Sequence, residues 1–307
     1  MNQQGGILQV DWAAFDPWSI VPVRHRLMPH PLMQMDSLVE LGRRLEARGS
    51  VRTHSDAVNA GTPFNHAPQM HPNRAGAAAT LAGIAEARAW MSLLNVQGDP
   101  VYRGLVDEVL DSVAPQLAQR DPGMCYRGGW IFVTSPHTIT PFHFDKEHNF
   151  ILQVSGRKTL YVWGPDDTVA ASEQARDLFH ASYSRERLRW DESLRARARV
   201  FHLEPGMGAY MPSTSPHLVE NGDGPSVTAS FTYYTDATRR NALLHRAHER
   251  VRNWGYEPPP VGRNGLLDAG LLGAFRGAAL LRQWRSRLAR APQPRSDRAP
   301  YAYAGGQ

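Results

Sequence analysis

The chain contains 307 residues, of which 42% are hydrophobic and 21% are charged, and these values are ordinary for a globular protein with its own hydrophobic core. A net charge of +5 favours acidic partners, but no recognisable nucleic-acid-binding motif accompanies it. The sequence has no long apolar run, no signal-peptide pattern and a single cysteine, Cys125. It therefore predicts a cytoplasmic protein without a membrane span or an internal disulfide.

Residues 1–123 are predicted to form an N-terminal arm and a helical region that packs on the rest of the protein. Apolar residues at helical spacing predict helices over 36–48 and over 80–93. A third helix is predicted from Asp99 onwards, because an Asp-Pro pair is typical of a helix start. Residues 50–77 are rich in Gly, Pro and Asn and are predicted to form a loop.

In residues 124–235, polar and apolar residues alternate with a period of two, which is typical of β-strands. The predicted strands cover 130–135, 140–144, 149–154, 158–163, 200–204, 209–211 and 226–234. A polar insertion over 165–197 interrupts them. Short strands separated by turn signals, with one long insertion, predict a double-stranded β-helix, the jelly-roll barrel of cupins. The predicted fold class is mainly β with flanking helices.

Residues 236–307 are predicted to form two C-terminal helices, over 236–254 and 266–288, and a basic tail. The region of the second helix carries arginines beside its apolar positions: Arg276, Arg282, Arg285, Arg287 and Arg290. Two interpretations remain open. The helix either caps the barrel with its arginines in water, or it forms an arm that binds an acidic partner.

His143 and Asp145 form an H-x-D pair at the end of the predicted strand 140–144. Residues i and i+2 of a strand point to the same side, so the imidazole and the carboxylate can converge on one metal ion. His217, which precedes another predicted strand, offers a third ligand. Two histidines and one carboxylate form the facial triad of non-haem Fe(II) oxygenases, whose remaining positions take 2-oxoglutarate and O₂. A hydrogen-bonded pair in an ordinary β-barrel is the alternative interpretation.

Three further polar residues lie near this pair in the sequence: Thr140, Asn149 and Lys158. Because side chains alternate along a strand, all three can point into the same interior as the pair. A buried cation and a hydroxyl are what the distal carboxylate of 2-oxoglutarate requires, because an unpaired charge is costly to bury. Lys158 is one of only two lysines in a chain whose other basic residues are arginines, and its compact ammonium suits a narrow barrel. The face of the last predicted strand that carries Ser230 points either into this interior or to solvent.

The sequence TPFHFDKEHNFILQVSGRK at residues 140–158 resembles, without a gap, the JmjC or cupin-like family of Fe(II)- and 2-oxoglutarate-dependent oxygenases. It is similar in particular to the asparaginyl hydroxylase of hypoxia-inducible factor. The resemblance implies that Thr140 and Lys158 hold the distal carboxylate of 2-oxoglutarate and that Asn149 lines the pocket. Ser230 departs from the pattern, because it stands where the animal hydroxylase has an asparagine near the metal-binding end of the cosubstrate.

The resemblance extends over residues 124–234 and implies a dioxygenase that hydroxylates a protein or peptide side chain, with a small metabolite as the second substrate class. Demethylation by the same oxidation is an alternative where the oxidised carbon is bound to nitrogen. A homodimer formed through the C-terminal helices is also implied. The other class of function is a cupin-like binding or regulatory protein without enzymatic activity, and a complete set of metal ligands argues against it.

Overall fold

The computed structural model describes residues 6–288, whose β-strands form two antiparallel sheets. The strands are Leu8–Gln9 (β1), Val21–His25 (β2), Val51–Ser55 (β3), Ala89–Leu93 (β4), Cys125–Thr134 (β5), Ile139–His143 (β6), His148–Ser155 (β7), Lys158–Val162 (β8), Arg199–Leu203 (β9), Met207–Met211 (β10), His217–Asn221 (β11) and Ser226–Tyr234 (β12). The larger sheet has the order β1-β2-β10-β7-β12-β5-β4-β3, and the smaller has the order β6-β11-β8-β9. The predicted jelly-roll fold with flanking helices is confirmed.

Eight α-helices accompany the sheets within the described residues. They are Met35–Glu46 (α1), Ala67–Met70 (α2), Ala77–Ala82 (α3), Pro100–Asp111 (α4), Ala114–Ala118 (α5), Glu173–Ser182 (α6), Asp236–Arg252 (α7) and Gly265–Leu288 (α8). Asp99 caps the N-terminus of α4 as predicted, because its carboxylate accepts a hydrogen bond from the Val101 N–H at 3.0 Å. No helix between residues 6 and 288 is long and apolar enough to cross a membrane.

Strand alternation gives the larger sheet an apolar outer face and a more polar inner face. On β7, Phe150 and Leu152 point outward into the main hydrophobic core, which they share with α1 and α4. Asn149 and Ile151 point inward, toward the smaller sheet. A small apolar cluster that includes Ile151 and Val219 fills part of the space between the sheets. The rest of this space is a cavity, and the predicted site residues line it.

The predicted helix over 80–93 is wrong. Helix α3 ends at Ala82, and Ala89–Leu93 is the strand β4, which lies between β3 and β5. All five residues of β4 are buried because both faces of the strand are covered. A fully buried strand loses the period-two alternation, so its apolar run resembles that of a buried helix.

The predicted loop over 50–77 is wrong in part, because it contains β3 and α2. Strand β3 lies at the edge of the larger sheet, where four of its five residues are only partly buried, and so it shows no clear alternation. Strands β1, β2 and β11 were not predicted, because two to five residues are too few to establish a period in the sequence. Since β1 to β4 extend the larger sheet, the sheet crosses the predicted domain boundary at residue 124. The division into three domains stays a prediction.

The two predicted C-terminal helices correspond to α7, which ends at Arg252, and α8. The tail after residue 288 and the arginines of the predicted basic face lie outside the residues whose side chains the structure describes. Both interpretations of this region, and the homodimer, stay predictions.

Candidate metal centre

The side chains of His143, Asp145 and His217 meet at one end of the cavity. His143 is the last residue of β6, Asp145 follows in the loop to β7, and His217 begins β11 directly opposite His143 in the sheet. One carboxylate oxygen, Asp145 Oδ2, lies 3.7 Å from His143 Nε2 and 3.8 Å from His217 Nε2. The three ligand atoms all lie within 4.8 Å of one another. Such a set of two nitrogens and one oxygen matches the facial triad of non-haem iron sites.

The orientation of both imidazoles is fixed by backbone carbonyls. His143 Nδ1 lies 2.7 Å from the Pro141 carbonyl oxygen, and His217 Nδ1 lies 3.1 Å from that of Ser215. A carbonyl oxygen only accepts, so each Nδ1 carries the proton and each Nε2 presents its lone pair to the centre. Burial lowers the pKa of both rings, that of His143 well below its usual range. Both imidazoles are therefore neutral at pH 7, the form that binds a metal.

Arg185 holds the other oxygen of the Asp145 carboxylate. One of its guanidinium nitrogens donates to Asp145 Oδ1 at 2.9 Å, and others donate to the Phe144 carbonyl oxygen and to Asn65 Oδ1. The Arg185 side chain is buried, with 7% of its surface exposed. Because Oδ1 is occupied, Oδ2 is the oxygen turned toward the two imidazoles. Sequence analysis missed Arg185, which lies in the polar insertion forty residues from Asp145.

The structure brings all seven predicted site residues to the walls of one cavity. Besides the three candidate ligands they are Thr140, Asn149, Lys158 and Ser230. The face of β12 that carries Ser230, left open by the sequence, points into the cavity. Asn149 Oδ1 and Ser230 Oγ are buried and have no hydrogen-bond partner among the described residues. Buried polar atoms are seldom left without a partner, so their presence here indicates a ligand-binding cavity.

Among these groups, the Lys158 ammonium is the one that most needs a partner of opposite charge. The residue begins β8, it is only 5% exposed, and among residues 6–288 its ammonium has neither a hydrogen bond nor an ion pair. Burial lowers the pKa of Lys158 to about 7. A buried ammonium without a counterion is unfavourable, so this position calls for an anion in the cavity.

Trp90 directs the hydroxyl of Thr140 into the cavity. The indole Nε1 of Trp90 donates to Thr140 Oγ1 at 2.7 Å. Because this oxygen already accepts a hydrogen bond from Trp90, its own proton remains to be donated to a ligand. Trp90 stacks on His54 at a centroid distance of 4.7 Å, which fixes the plane of the indole. Sequence analysis missed this role because it assigned residue 90 to a helix.

The fold and the converging donor groups define the class of this protein, a jelly-roll barrel of the cupin type with a candidate metal centre in its interior. Residues 46–239 match the family described as the cupin-like domain, and the chain belongs to that family. The resemblance recognised in the sequence is thereby confirmed. No curated protein sequence matches the chain.

Several solved structures share parts of the fold at low identity. The ribosomal oxygenase YcfD from Escherichia coli is 15% identical, with a TM-score of 0.31, over 67% of this chain and 48% of that chain. Oxalate decarboxylase from Bacillus subtilis is 19% identical, with a TM-score of 0.24, over 34% and 21%. The DMSP lyase DddQ from Ruegeria pomeroyi is 13% identical, with a TM-score of 0.24, over 35% and 38%. The chain thus spans less than half the length of each, and likenesses at these TM-scores assign no function.

Proposed function

We propose that this protein is an Fe(II)- and 2-oxoglutarate-dependent oxygenase that hydroxylates a protein or peptide side chain or a small metabolite. One observation carries the proposal: the candidate triad of His143, Asp145 and His217 shares a cavity with a buried lysine that has no counterion among the described residues. A metal site alone is compatible with many cupins. A metal site facing an unpaired cation fits a cosubstrate that has a metal-chelating end and a carboxylate at the other end.

The donor set fits Fe(II). His143 Nε2, His217 Nε2 and Asp145 Oδ2 would hold the ion on one side and leave the opposite positions open. The hydrogen bonds to Pro141 and Ser215 keep both imidazoles in the binding tautomer, and Arg185 holds the carboxylate. When bound, iron and 2-oxoglutarate supply with O₂ an oxidant that replaces a substrate C–H bond by C–OH, and 2-oxoglutarate leaves as succinate and CO₂.

The cavity fits 2-oxoglutarate. Lys158 would pair with the distal carboxylate, and the Thr140 hydroxyl, whose oxygen already accepts from Trp90, would donate to the same group. Asn149 and Ser230, each with a polar atom that lacks a partner among the described residues, would contact the rest of the molecule. Apolar side chains such as Phe132, Ile151 and Val219 line the remaining wall and limit the space for water.

An anaerobic titration tests the proposal. We expect the protein with Fe(II) to develop a visible charge-transfer band when 2-oxoglutarate is added, and to release succinate slowly when O₂ is admitted. The variant His217→Ala should lose the band. The variant His202→Ala, which removes an exposed histidine of β9, should keep it. A band that persists in His217→Ala contradicts the ligand set, and binding of 2-oxoglutarate without succinate formation favours a binding protein over an enzyme.

A further inference from the structure

Glu147 lies at the junction between the metal cavity and an outer cleft. It belongs to the loop between β6 and β7, two residues after Asp145, and its side chain lines both spaces. Asp145 and Trp130 also line both. A substrate that approaches the candidate metal centre through the cleft therefore passes the Glu147 carboxylate.

Among the described residues, the Glu147 carboxylate has a neutral hydrogen-bond partner and no counterion. The hydroxyl of Tyr234 donates to Glu147 Oε1 at 2.8 Å. Within the part of the chain that the structure describes, no cationic group lies within ion-pair distance of Glu147. A carboxylate that is removed from water and held by one phenol is incompletely compensated.

The cations near the cleft are each bound to other groups. The Lys146 ammonium lies 3.3 Å from the centroid of the Tyr183 ring and donates to the His180 carbonyl oxygen at 3.3 Å. Arg185 is held by Asp145, as described above. Arg127 forms an ion pair with Asp111 at 2.7 Å, outside the cleft. None of these described cations forms an ion pair with Glu147, which leaves its carboxylate as a position for a cationic ligand.

Aromatic rings line the same cleft as this carboxylate. Tyr126, Trp130 and Tyr234 line the cleft, and the first and last of them form an edge-to-face pair with centroids 5.9 Å apart. Tyr126 has a φ of 48°, a left-handed conformation that is unfavourable for a tyrosine, and it lies where the register of β12 against β5 shifts. Ring faces attract cations, so a carboxylate among aromatic rings is a typical environment for a guanidinium or ammonium group.

We propose that the cleft binds a positively charged group of the substrate, a guanidinium or an ammonium, between Glu147 and the rings of Tyr126, Trp130 and Tyr234. A carbon near that charge then faces the candidate metal centre. The assignment of this carbon as the position of hydroxylation rests on the proposed function. The binding site itself rests on the geometry of the cleft and is testable without turnover.

Pairs of probes that differ only in charge test this site. Nα-acetyl-arginine methylamide and its citrulline counterpart have almost the same shape, but only the first is a cation. Agmatine provides the same guanidinium without a peptide group. Comparing it with the arginine probe shows whether the cleft prefers a small free amine or a peptide as the carrier of the charge. Small probes bind weakly, so calorimetric titration of the purified full chain extends to about 20 mM.

We expect the arginine probe to bind at least about tenfold more tightly than the citrulline probe, the scale of a charge-assisted hydrogen bond. The variant Glu147→Gln, which keeps the shape and the hydrogen bond from Tyr234, should reduce this ratio to about twofold or less. Glu204→Gln is the matched control, because it removes the same charge from an exposed residue paired with Arg157. In this control the ratio should remain as in the unchanged protein.

Three outcomes would overturn the proposal: equal binding of the two probes, an unchanged ratio in Glu147→Gln, or no binding of either cationic probe up to the highest concentration. Failure of the proposed function is a different result. It would appear as a missing charge-transfer band in the iron and 2-oxoglutarate titration of the unchanged protein, while the charge preference of the cleft could still be present.

Discussion

The two oxygens of the Asp145 carboxylate have different partners, and this difference decides the geometry of the candidate metal centre. Oδ1 accepts from Arg185, whereas Oδ2 is the oxygen close to both imidazoles. The Asp145 side chain is 31% exposed, so solvent screens its ion pair with the buried Arg185 and reduces the contribution of that pair to the stability of the fold. Its main effect is positional, since a carboxylate held at one oxygen presents the other in a fixed direction.

Replacing Arg185 should therefore weaken metal binding more than it weakens the fold. We expect Arg185→Gln to lower the affinity for Fe(II) or Co(II) by about 10- to 100-fold, measured by anaerobic titration. Arg187→Gln is the control, because Arg187 lies in the same segment but pairs with Glu249 at 3.6 Å. Equal metal affinity in the two variants, with both folded by circular dichroism, would show that Asp145 needs no support from Arg185.

Five of the seven cavity residues, those from Thr140 to Lys158, are predicted from local spacing. His143 and Asp145 are two residues apart, and one turn separates the strand of Asn149 from the strand of Lys158. His217 and Ser230 lie far along the chain, and they were predicted from the need for a third metal ligand and from the family resemblance. Arg185 and Trp90 contact the same site from separate segments, one in a polar insertion and one on a fully buried strand. No periodicity connects either of them to the H-x-D pair, so only the folded chain reveals their contacts.

At the level of elements, prediction succeeded where polar and apolar residues recur with a clear period and failed where they do not. Strand β12 was predicted with its observed bounds, because polar Thr and Ser alternate with apolar residues even though all nine residues are buried. Strand β4 has no such alternation, and for this reason the sequence predicts a helix there instead. Helix α1 was predicted correctly in type, because Leu38, Leu41 and Leu45 form one apolar face.

Helix α6 is fixed to α7 by a buried ionic group. Asp177, which is fully buried, accepts from Arg252 at 2.7 Å and lies 2.7 Å from His245 Nδ1. Helix α6 also contacts the metal-binding loop, because its Phe179 packs edge-to-face on Phe144, the residue before Asp145. The ionic group thus helps to hold the helix that supports the metal-binding loop.

Removing this charge should loosen α6. We expect Asp177→Asn to lower the free energy of unfolding by about 2 to 4 kcal/mol, because it leaves the largely buried Arg252 without its carboxylate partner on α6. Denaturant unfolding measures this change. The control Asp223→Asn affects a fully exposed side chain and should change stability by less than about 0.5 kcal/mol. A similar small effect for Asp177→Asn would mean that apolar packing alone holds α6 in place.

Across the whole molecule, stability and ligand binding come from opposite faces of the larger sheet. Its outer face packs with α1 and α4 in an extensive apolar core, whereas the space between the sheets has only a small apolar cluster beside the cavity. The cavity contains Lys158 and polar atoms of Asn149 and Ser230 that lack partners among the described residues. Such groups destabilise the free protein and are retained where a ligand needs them.

The destabilisation of the free protein by the buried Lys158 ammonium depends on pH, and this dependence can be measured. The pKa of Lys158 is about 7 in the folded chain and ~10.4 in the unfolded chain, so between these values the unfolded chain binds more protons and stability rises with pH. Below pH 7 the destabilisation by Lys158 is complete, and with about 1.4 kcal/mol for each pKa unit it reaches up to about 5 kcal/mol. Above pH 10.4 it vanishes.

Lys158→Met should therefore stabilise the free protein while it weakens cosubstrate binding. We expect a higher free energy of unfolding near pH 7, a gain that shrinks toward pH 10, and 2-oxoglutarate affinity reduced by about 1.5 to 3 kcal/mol. Arg157→Met removes the neighbouring charge, which is 77% exposed, and should show neither effect. If Lys158→Met is instead less stable than the unchanged protein at pH 7, the ammonium already has a partner in the free protein, and the argument for an anion in the cavity loses its basis.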